Sequence, residues 1–162
     1  ASGVVLLFTK PFKAGDFIEL DGVSGTIREI ELMHSYLDTP GNMRVAIPNT
    51  KMMTATIINY TAYTTRRQDF LFTISYENDL LAAKELLQSI VDQHPLVLKE
   101  PVPPCVMVKE HAESAVVLLA RVWCETDKYW DLNFELTEQV KLAFDENHVT
   151  IPYNQLDVHV TQ

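Results

Sequence analysis

The side chains that most often perform chemistry are dispersed along this chain of 162 residues. The histidines are His34, His94, His111, His148 and His159. No two of them lie four residues apart with a glutamate between them, which is the helical spacing of the zinc proteases. Neither glycine-rich phosphate-binding pattern is present in the sequence. These observations predict no catalytic residue, no metal site and no cofactor.

Two short motifs have both an enzymatic and a structural interpretation. The segment Gly22-Val-Ser-Gly25 resembles part of a nucleophile elbow, but it lacks the fifth position of that motif and follows Asp21. It therefore predicts a bend between strands. Asp127 and Asp131 could form a carboxylate pair, although acidic residues in a first helical turn commonly complement the helix dipole. The structural interpretation is preferred for both motifs.

Four other side chains are predicted to be structural. Cys105 and Cys124 are too few and too far apart for a disulfide framework or a zinc site, so we expect two buried thiols. Trp123 and Trp130 are most simply core aromatic residues whose N–H groups need partners.

The charge of the chain is uneven. The formal net charge is −9, and a nucleic-acid-binding chain would usually show a basic patch instead. Residues 1–61 have a net charge of −1, whereas residues 62–162 have eight Lys/Arg and sixteen Asp/Glu. This asymmetry predicts a module boundary near residue 62. Arg66 and Arg67 form a basic pair beside it, which is either a solvated edge or part of an interface or ion path.

Five short strands are predicted in the first module. Branched and aromatic residues occur between the turn signals Asp21-Gly22, Pro40-Gly41-Asn42 and Pro48-Asn49. The predicted strands are residues 17–20, 23–32, 36–39, 43–47 and 56–60. Five short strands in about 50 residues favour a small closed barrel, since closure removes exposed strand edges.

Strands and helices alternate in the second module. The predicted strands are residues 67–75, 105–109, 114–124 and 149–153, with a further strand at 156–160. One helix is expected from a cap at Asn78 to His94, and another begins at Thr126 or Asp127. The order strand, helix, strand, strand, helix, strand is the ferredoxin-like pattern. The whole chain is therefore predicted to be α+β.

Seven segments, in order along nearly the whole chain, resemble the small-conductance mechanosensitive (MscS-like) channel family. These segments are Gly3–Asp16, Asp21–Ile27, Ile47–Lys51, Ile57–Asn59, Arg121–Trp123, Tyr129–Leu132 and Ile151–Asp157. The chain departs from the family at Thr50, where glycine commonly follows the proline-asparagine pair.

The resemblance implies four segments. Residues 1–10 would be a stub of the pore-lining membrane helix, and residues 11–61 an Sm-like β-barrel domain. Residues 62–152 would be a ferredoxin-like α/β domain. Residues 153–162 would supply a C-terminal strand to an intersubunit barrel.

The resemblance also implies a function: the cytoplasmic vestibule of a channel that opens under membrane tension and protects the cell from osmotic stress. Its partners would be identical subunits, in a heptamer, together with ions and small solutes, and the missing N-terminal helices would hold it in the inner membrane. The implied site residues are Arg66, Arg67 and Asp69 at lateral portals, and Pro48, Asn49 and Lys51 in a loop that faces the pore helix.

Two other functions remain open at this stage. An Sm-like module could bind RNA, although the net charge of −9 and the missing basic stripe oppose this. A ferredoxin-like module could sense a small molecule, an interpretation that rests on fold analogy alone.

Overall fold

The computed structural model describes residues 12–161 of the chain. The chain divides into two compact units, residues 1–64 and 65–162, called here the first and second unit. The predicted pore-helix stub, residues 1–10, lies outside the described residues.

The first unit contains a five-stranded antiparallel sheet. Its strands are β1 (Phe17–Leu20), β2 (Val23–Ile30), β3 (His34–Asp38), β4 (Arg44–Pro48) and β5 (Ile58–Asn59). They lie in the order β4-β3-β2-β1-β5, so each of the first four strands pairs with its sequence neighbour. One face buries a small apolar core that includes Ile18, Ile27 and Leu37, all with no exposed area.

Glycine is required at two positions of this sheet. Gly22 has a φ of +77° in the turn between β1 and β2, a backbone conformation that other residues adopt at a cost. At Gly25 a Cβ atom would lie 2.8 Å from the carbonyl oxygen of Asp38 on β3. The segment that resembles a nucleophile elbow is therefore a turn and the start of a tightly packed strand.

A short helix that the sequence analysis did not predict follows β4. Helix α1 (Asn49–Thr54) begins immediately after Pro48 and places Met52 in the apolar core. The residue pair Pro48-Asn49 indicated the end of the strand correctly, but the following chain forms a helix instead of an irregular loop.

The second unit consists of a three-stranded sheet and two helices. Its elements are β6 (Thr65–Ile74), α2 (Leu80–Gln93), β7 (Cys105–His111), β8 (Val116–Glu125) and α3 (Tyr129–Glu146), with a 3₁₀ turn at Thr126–Lys128 before α3. The strands are antiparallel in the order β6-β8-β7. Both helices contribute to one core with alternate residues of the sheet, for example Leu87, Leu136 and Leu118. One face of the sheet is thus covered by helices, and we call the opposite face the open face.

Helix α2 begins one residue later than predicted. The cap is Asp79, whose side-chain oxygen accepts a hydrogen bond from the N–H of Ala82 at 3.0 Å. The predicted cap, Asn78, instead bonds to Thr150. Its Nδ2 donates to the Thr150 carbonyl at 2.8 Å and its Oδ1 accepts from the Thr150 N–H at 3.0 Å.

His94 fixes the end of α2. It is 5% exposed, and its Nδ1 accepts a hydrogen bond from the N–H of Leu96 at 3.1 Å. The proton of the neutral ring is therefore on Nε2, which lies 3.3 Å from a carboxylate oxygen of Glu135 on α3. Burial lowers the pKa of His94, and Lys99 lowers it further, although Glu135 opposes both effects.

The predicted strands at 149–153 and 156–160 are not formed within the single chain that the structure describes. The backbone N–H of Ser75, the residue after β6, donates a hydrogen bond to the carbonyl of Thr150 at 2.9 Å. This backbone hydrogen bond stands where a fourth strand would pair with β6. Residues 156–161 are exposed and are paired with no strand among residues 12–161. A strand requires a hydrogen-bonded neighbour, and for residues 156–160 the neighbour that the resemblance implies belongs to another subunit.

Two of the predicted buried side chains are exposed. Cys124 has no exposed area, as predicted, but Cys105 is exposed on the first residue of β7. Trp130 is 62% exposed because it lies on the outward side of α3, away from the buried positions Leu132 and Leu136.

Candidate functional site

Asn49, predicted to shape a loop, is a buried polar residue that joins three segments of the first unit. Its Oδ1 accepts a hydrogen bond from the hydroxyl of Ser35 on β3 at 2.6 Å. Its Nδ2 donates to the carbonyls of Glu31 and Leu32, at 2.6 and 3.1 Å. Its backbone N–H donates to the carbonyl of Met33 at 2.9 Å. The side chain therefore fixes the start of α1 against the turn between β2 and β3.

Ser35 is the partner that the sequence analysis missed. Both Ser35 and Asn49 have no exposed area, and a buried polar pair of this kind is stable only when its donors and acceptors are satisfied. Within residues 12–161, no buried side-chain nitrogen or oxygen lacks a hydrogen-bond partner. The alternation of β3, which directs Ser35 and Leu37 inward together, was the only sequence signal for this position.

Pro48 and Lys51 lie on the outside of the same helix start. Both line a shallow cavity of about 150 Å³ in the first unit, together with apolar residues such as Val23 and Ile47. The Nζ atom of Lys51 is 2.9 Å from a carboxylate oxygen of Asp21, and both side chains are about half exposed. The three predicted loop residues are thus brought together, but Asn49 faces inward and the other two face solvent.

Thr50 occupies an exposed position inside α1. Among the described non-glycine residues with positive φ are Asp21, Asn42 and His148, and Thr50 does not belong to this group. The family's glycine at this position is therefore not needed for the backbone observed here.

Asp16 joins the segment before β1 to the segment at the end of the first unit, around Asn59 and Thr61. This carboxylate, 6% exposed, accepts hydrogen bonds from the N–H of Lys13 at 2.9 Å, Asn59 Nδ2 at 3.0 Å and Thr61 Oγ1 at 3.0 Å. Burial raises the pKa of Asp16, but these hydrogen bonds and the charge of Lys13 together lower it by more, so the net shift is downward. No local sequence pattern identifies this residue.

The predicted portal residues do not all share one face of β6. The side chain of Arg66 is directed to the ring of Tyr129, with its guanidinium carbon 3.8 Å from the ring centroid. Arg67 and Asp69 lie on the open face, where the Nε of Arg67 is 3.1 Å from Asp69. Successive strand residues point to opposite faces, so Arg66 separates from its neighbours.

Arg121 completes the charged group on the open face. The register of β6 and β8 places Arg121 directly opposite Asp69, and its Nε and Nη2 lie 3.2 and 3.3 Å from the two carboxylate oxygens. Two guanidinium groups therefore surround one carboxylate, which leaves one excess positive charge. Arg121 is 52 positions from Asp69, so the sequence analysis did not connect them.

The last described residues have an alternating pattern. Leu156, Val158 and Val160 are each more than half exposed, and polar residues separate them. The backbone N–H of Gln155 donates to the hydroxyl of Ser114 at 3.1 Å, which fixes the segment just before this pattern begins.

Two kinds of feature are absent from residues 12–161. No helix there has the length and apolar character needed to cross a bilayer. No group of three or more His, Cys, Asp or Glu side chains is arranged to hold a metal ion among the same residues.

The sequence matches two family models. Residues 1–62 match the mechanosensitive ion channel β-domain, and residues 69–151 match the C-terminal model of the mechanosensitive ion channel MscS. A small-conductance mechanosensitive channel from Edwardsiella ictaluri is 34% identical over all of this chain and 56% of its own length. An uncharacterized MscS family protein from Archaeoglobus fulgidus is 32% identical over 95% of this chain and 54% of its own length. The chain thus spans about half the length of these relatives.

The fold is also similar to solved structures. The crystal structure of Helicobacter pylori MscS in its closed state matches with a TM-score of 0.93 and 25% identity, over 99% of this chain and 64% of that one. Arabidopsis thaliana MSL1 matches with a TM-score of 0.80 and 16% identity, over 94% of this chain and 55% of that one. The second likeness concerns the fold alone.

Proposed function

Because this chain belongs to the MscS family of mechanosensitive ion channels, we propose that it is the cytoplasmic part of a channel that opens under membrane tension. The complete channel would lie in the inner membrane and protect the cell from osmotic stress. The observation that supports this most directly is the likeness to the closed Helicobacter pylori channel over nearly the whole chain.

The proposed segments are those that the resemblance implies. Residues 1–10 would continue from the pore-lining helix and residues 11–61 would be an Sm-like domain, a proposal that the strand order β4-β3-β2-β1-β5 supports. Residues 62–152 would be a ferredoxin-like domain. The order β6-β8-β7, with Thr150 bonded to Ser75 just after β6, supports this second proposal.

Seven copies would close a ring around a water-filled vestibule. The exposed alternating residues of 153–162 support the proposal that each chain adds one strand to a shared barrel, because such a strand has unpaired backbone groups and exposed apolar side chains. Identical head-to-tail contacts close a ring when the rotation between copies allows it.

Opening would be a shift between two populations of the ring. Tension favours the state that occupies more membrane area, and no bond is made or broken. Pro48, Asn49 and Lys51 would shape the segment that faces the pore helix, with Pro48 and Lys51 on its surface and Asn49 inside it. The hydrogen bonds of Asn49 support this role, since they would hold that surface in one position while the helix moves.

Solutes would leave the vestibule through portals between subunits, with Arg66, Arg67 and Asp69 near them. The exposed charged group of Arg67, Asp69 and Arg121 supports a role in ion preference, because charges that line a passage raise the local concentration of counter-ions. Arg66 would act from the other face of β6, through its contact with Tyr129.

Electrophysiology of the full-length channel tests this function. Membrane patches from a bacterial strain without its own mechanosensitive channels should show pressure-activated currents when the full-length protein is expressed. Charge reversal at Arg66, Arg67 and Asp69 should change conductance or ion preference without abolishing activation. Patches that show no pressure-activated current, although the protein is present in the membrane, would contradict the proposal.

A further inference from the structure

The second unit exposes two unlike apolar surfaces. One is the open face of the sheet, where Leu71 on β6, Leu119 on β8 and Met107 on β7 lie in one row across the three strands. Leu71 is 52% exposed, and the other two are half-buried. Apolar side chains grouped in this way on a folded unit indicate a surface that another molecule covers.

The other surface is the outward side of α3. Trp130 and Phe134 are one helical turn apart, and their rings are stacked with centroids 5.9 Å apart. Phe134 is 68% exposed. Large aromatic side chains of this kind are enriched at the centres of protein interfaces, where they provide much of the binding energy. We call this surface, with Glu138 one turn further on, the aromatic face.

The two surfaces have opposite charges at matching distances from their apolar centres. On the open face, the group of Arg67, Asp69 and Arg121 has one excess positive charge, in a unit whose net charge is otherwise strongly negative. Asp69 and Arg121 of this group lie two residues along the strands from the apolar row, or about 7 Å at 3.4 Å per residue. On the aromatic face, Glu138 lies four residues from Phe134, or about 6 Å at 1.5 Å per residue.

From this match we infer that the aromatic face of one copy packs on the open face of the next copy, with Phe134 against Leu71 and Leu119, and Glu138 against Arg121. The two surfaces belong to opposite sides of one unit: the open face is the side of the sheet that the helices do not cover, and the aromatic face is the side of α3 that does not face the core. A contact between two different surfaces is head-to-tail, and repetition of such a contact produces a ring or a filament.

The inference rests on the proposed function and adds the residues of its subunit contact. The apolar row would form the dry centre of the contact, and the charged group would lie at its rim, where interface residues keep access to solvent. The same group could therefore both orient neighbouring subunits and border a passage between them.

Cysteine cross-linking in the full-length channel tests the contact. The background is Cys105→Ser, since Cys105 is exposed, while buried Cys124 is retained. Leu71→Cys together with Phe134→Cys in one chain should give a ladder of covalent multimers with a short bis-maleimide. Either substitution alone should leave the chain monomeric on a denaturing gel, because in a head-to-tail contact each residue meets only the other.

The possible results distinguish a failure of this subunit contact from a failure of the proposed function. Dimers from Phe134→Cys alone, with no higher species, would show a two-fold contact and overturn the inference. No cross-link in the doubly substituted channel, with the native mass of the assembly unchanged, would also overturn it but leave the ring intact. A wild-type channel that is monomeric in light scattering would contradict the proposed function itself.

Charge exchange provides a second measurement. Arg121→Glu and Glu138→Arg should each lower the temperature at which the assembly dissociates, and the two substitutions together should recover at least half of that loss. Glu85→Arg is the matched control. Glu85 is exposed on α2 and lies outside both faces, and its substitution changes the charge by the same amount as Glu138→Arg. Equal effects of Glu138→Arg and the control, or no recovery in the double variant, would overturn the inference.

Discussion

Replacement of Asn49 by alanine should loosen the turn between β2 and β3 and leave the second unit unchanged. The substitution removes three side-chain hydrogen bonds, to the hydroxyl of Ser35 and to the carbonyls of Glu31 and Leu32. A buried polar group left without its partner costs about 1–3 kcal/mol. The magnitude therefore depends on which of the three partners water can reach.

Ser35 should account for most of the loss. It has no exposed area, so water cannot replace Asn49 at its hydroxyl. Glu31 and Leu32 are exposed residues, and water can solvate their carbonyls at small cost once the amide is gone. Because one partner is fully buried and water can replace the amide at the other two, we expect the free energy that stabilises the turn to fall by about 2–3 kcal/mol.

Hydrogen–deuterium exchange measured by mass spectrometry resolves this effect by segment. A loss of about 2–3 kcal/mol corresponds to exchange that is roughly 30- to 150-fold faster in peptides that cover β2, β3 and α1. Peptides from α2 and β8 should exchange at the wild-type rate. Thr50→Ala is the control, since Thr50 is the exposed next residue of the same helix and its loss should change exchange by less than about threefold.

Two results would refute the reasoning about Asn49. Exchange in the Asn49→Ala protein that matches the Thr50→Ala control would show that the hydrogen bonds do not hold the turn. Equally faster exchange in both units would show that Asn49 contributes to global stability and does not act locally on the turn between β2 and β3.

Three further predictions concern stability measured by urea unfolding. The pKa of His94 is lowered in the folded chain, so the unfolded chain binds a proton at this residue first as the pH falls. Stability should therefore decrease as the pH drops below the ordinary histidine pKa of about 6.5. His94→Asn should make stability less dependent on pH in that range, and a pH profile of stability equal to that of the wild type would contradict the role of His94. Gly25→Ala should destabilise the first unit by more than about 2 kcal/mol because the new Cβ would meet the carbonyl of Asp38, whereas Gly41→Ala, with no neighbour closer than 3.8 Å, should cost far less. Lys51→Met should change stability by less than about 1 kcal/mol because its ion pair is exposed, and a larger loss would refute this.

Local patterns in the sequence predicted most of the elements. The two long helices that the sequence predicted are confirmed, and each buries an apolar stripe that includes Leu87 and Val91 in α2 and Leu132 and Leu136 in α3, all of which have no exposed area. These stripes depend only on helical spacing, which a single sequence displays directly. The α+β class follows from the same local signals.

Features that depend on distant partners could not be predicted in this way. Asn49 bonds to residues 14 to 18 positions away, and Arg121 meets Asp69 across 52 positions, so both contacts require the strand register. Helix α1 was missed because Pro48-Asn49 is equally typical of a turn. The strand predicted at 156–160 has no partner in the part of the chain that the structure describes, and no local pattern specifies whether a partner exists in another subunit.

The native mass of the full-length channel, measured by light scattering in detergent, shows whether its subunits close a ring. We expect seven protomers, and a truncation before Leu156 should lower the temperature at which they separate. A wild-type channel with the mass of one protomer would contradict the account, because neither the vestibule nor the shared barrel could then form.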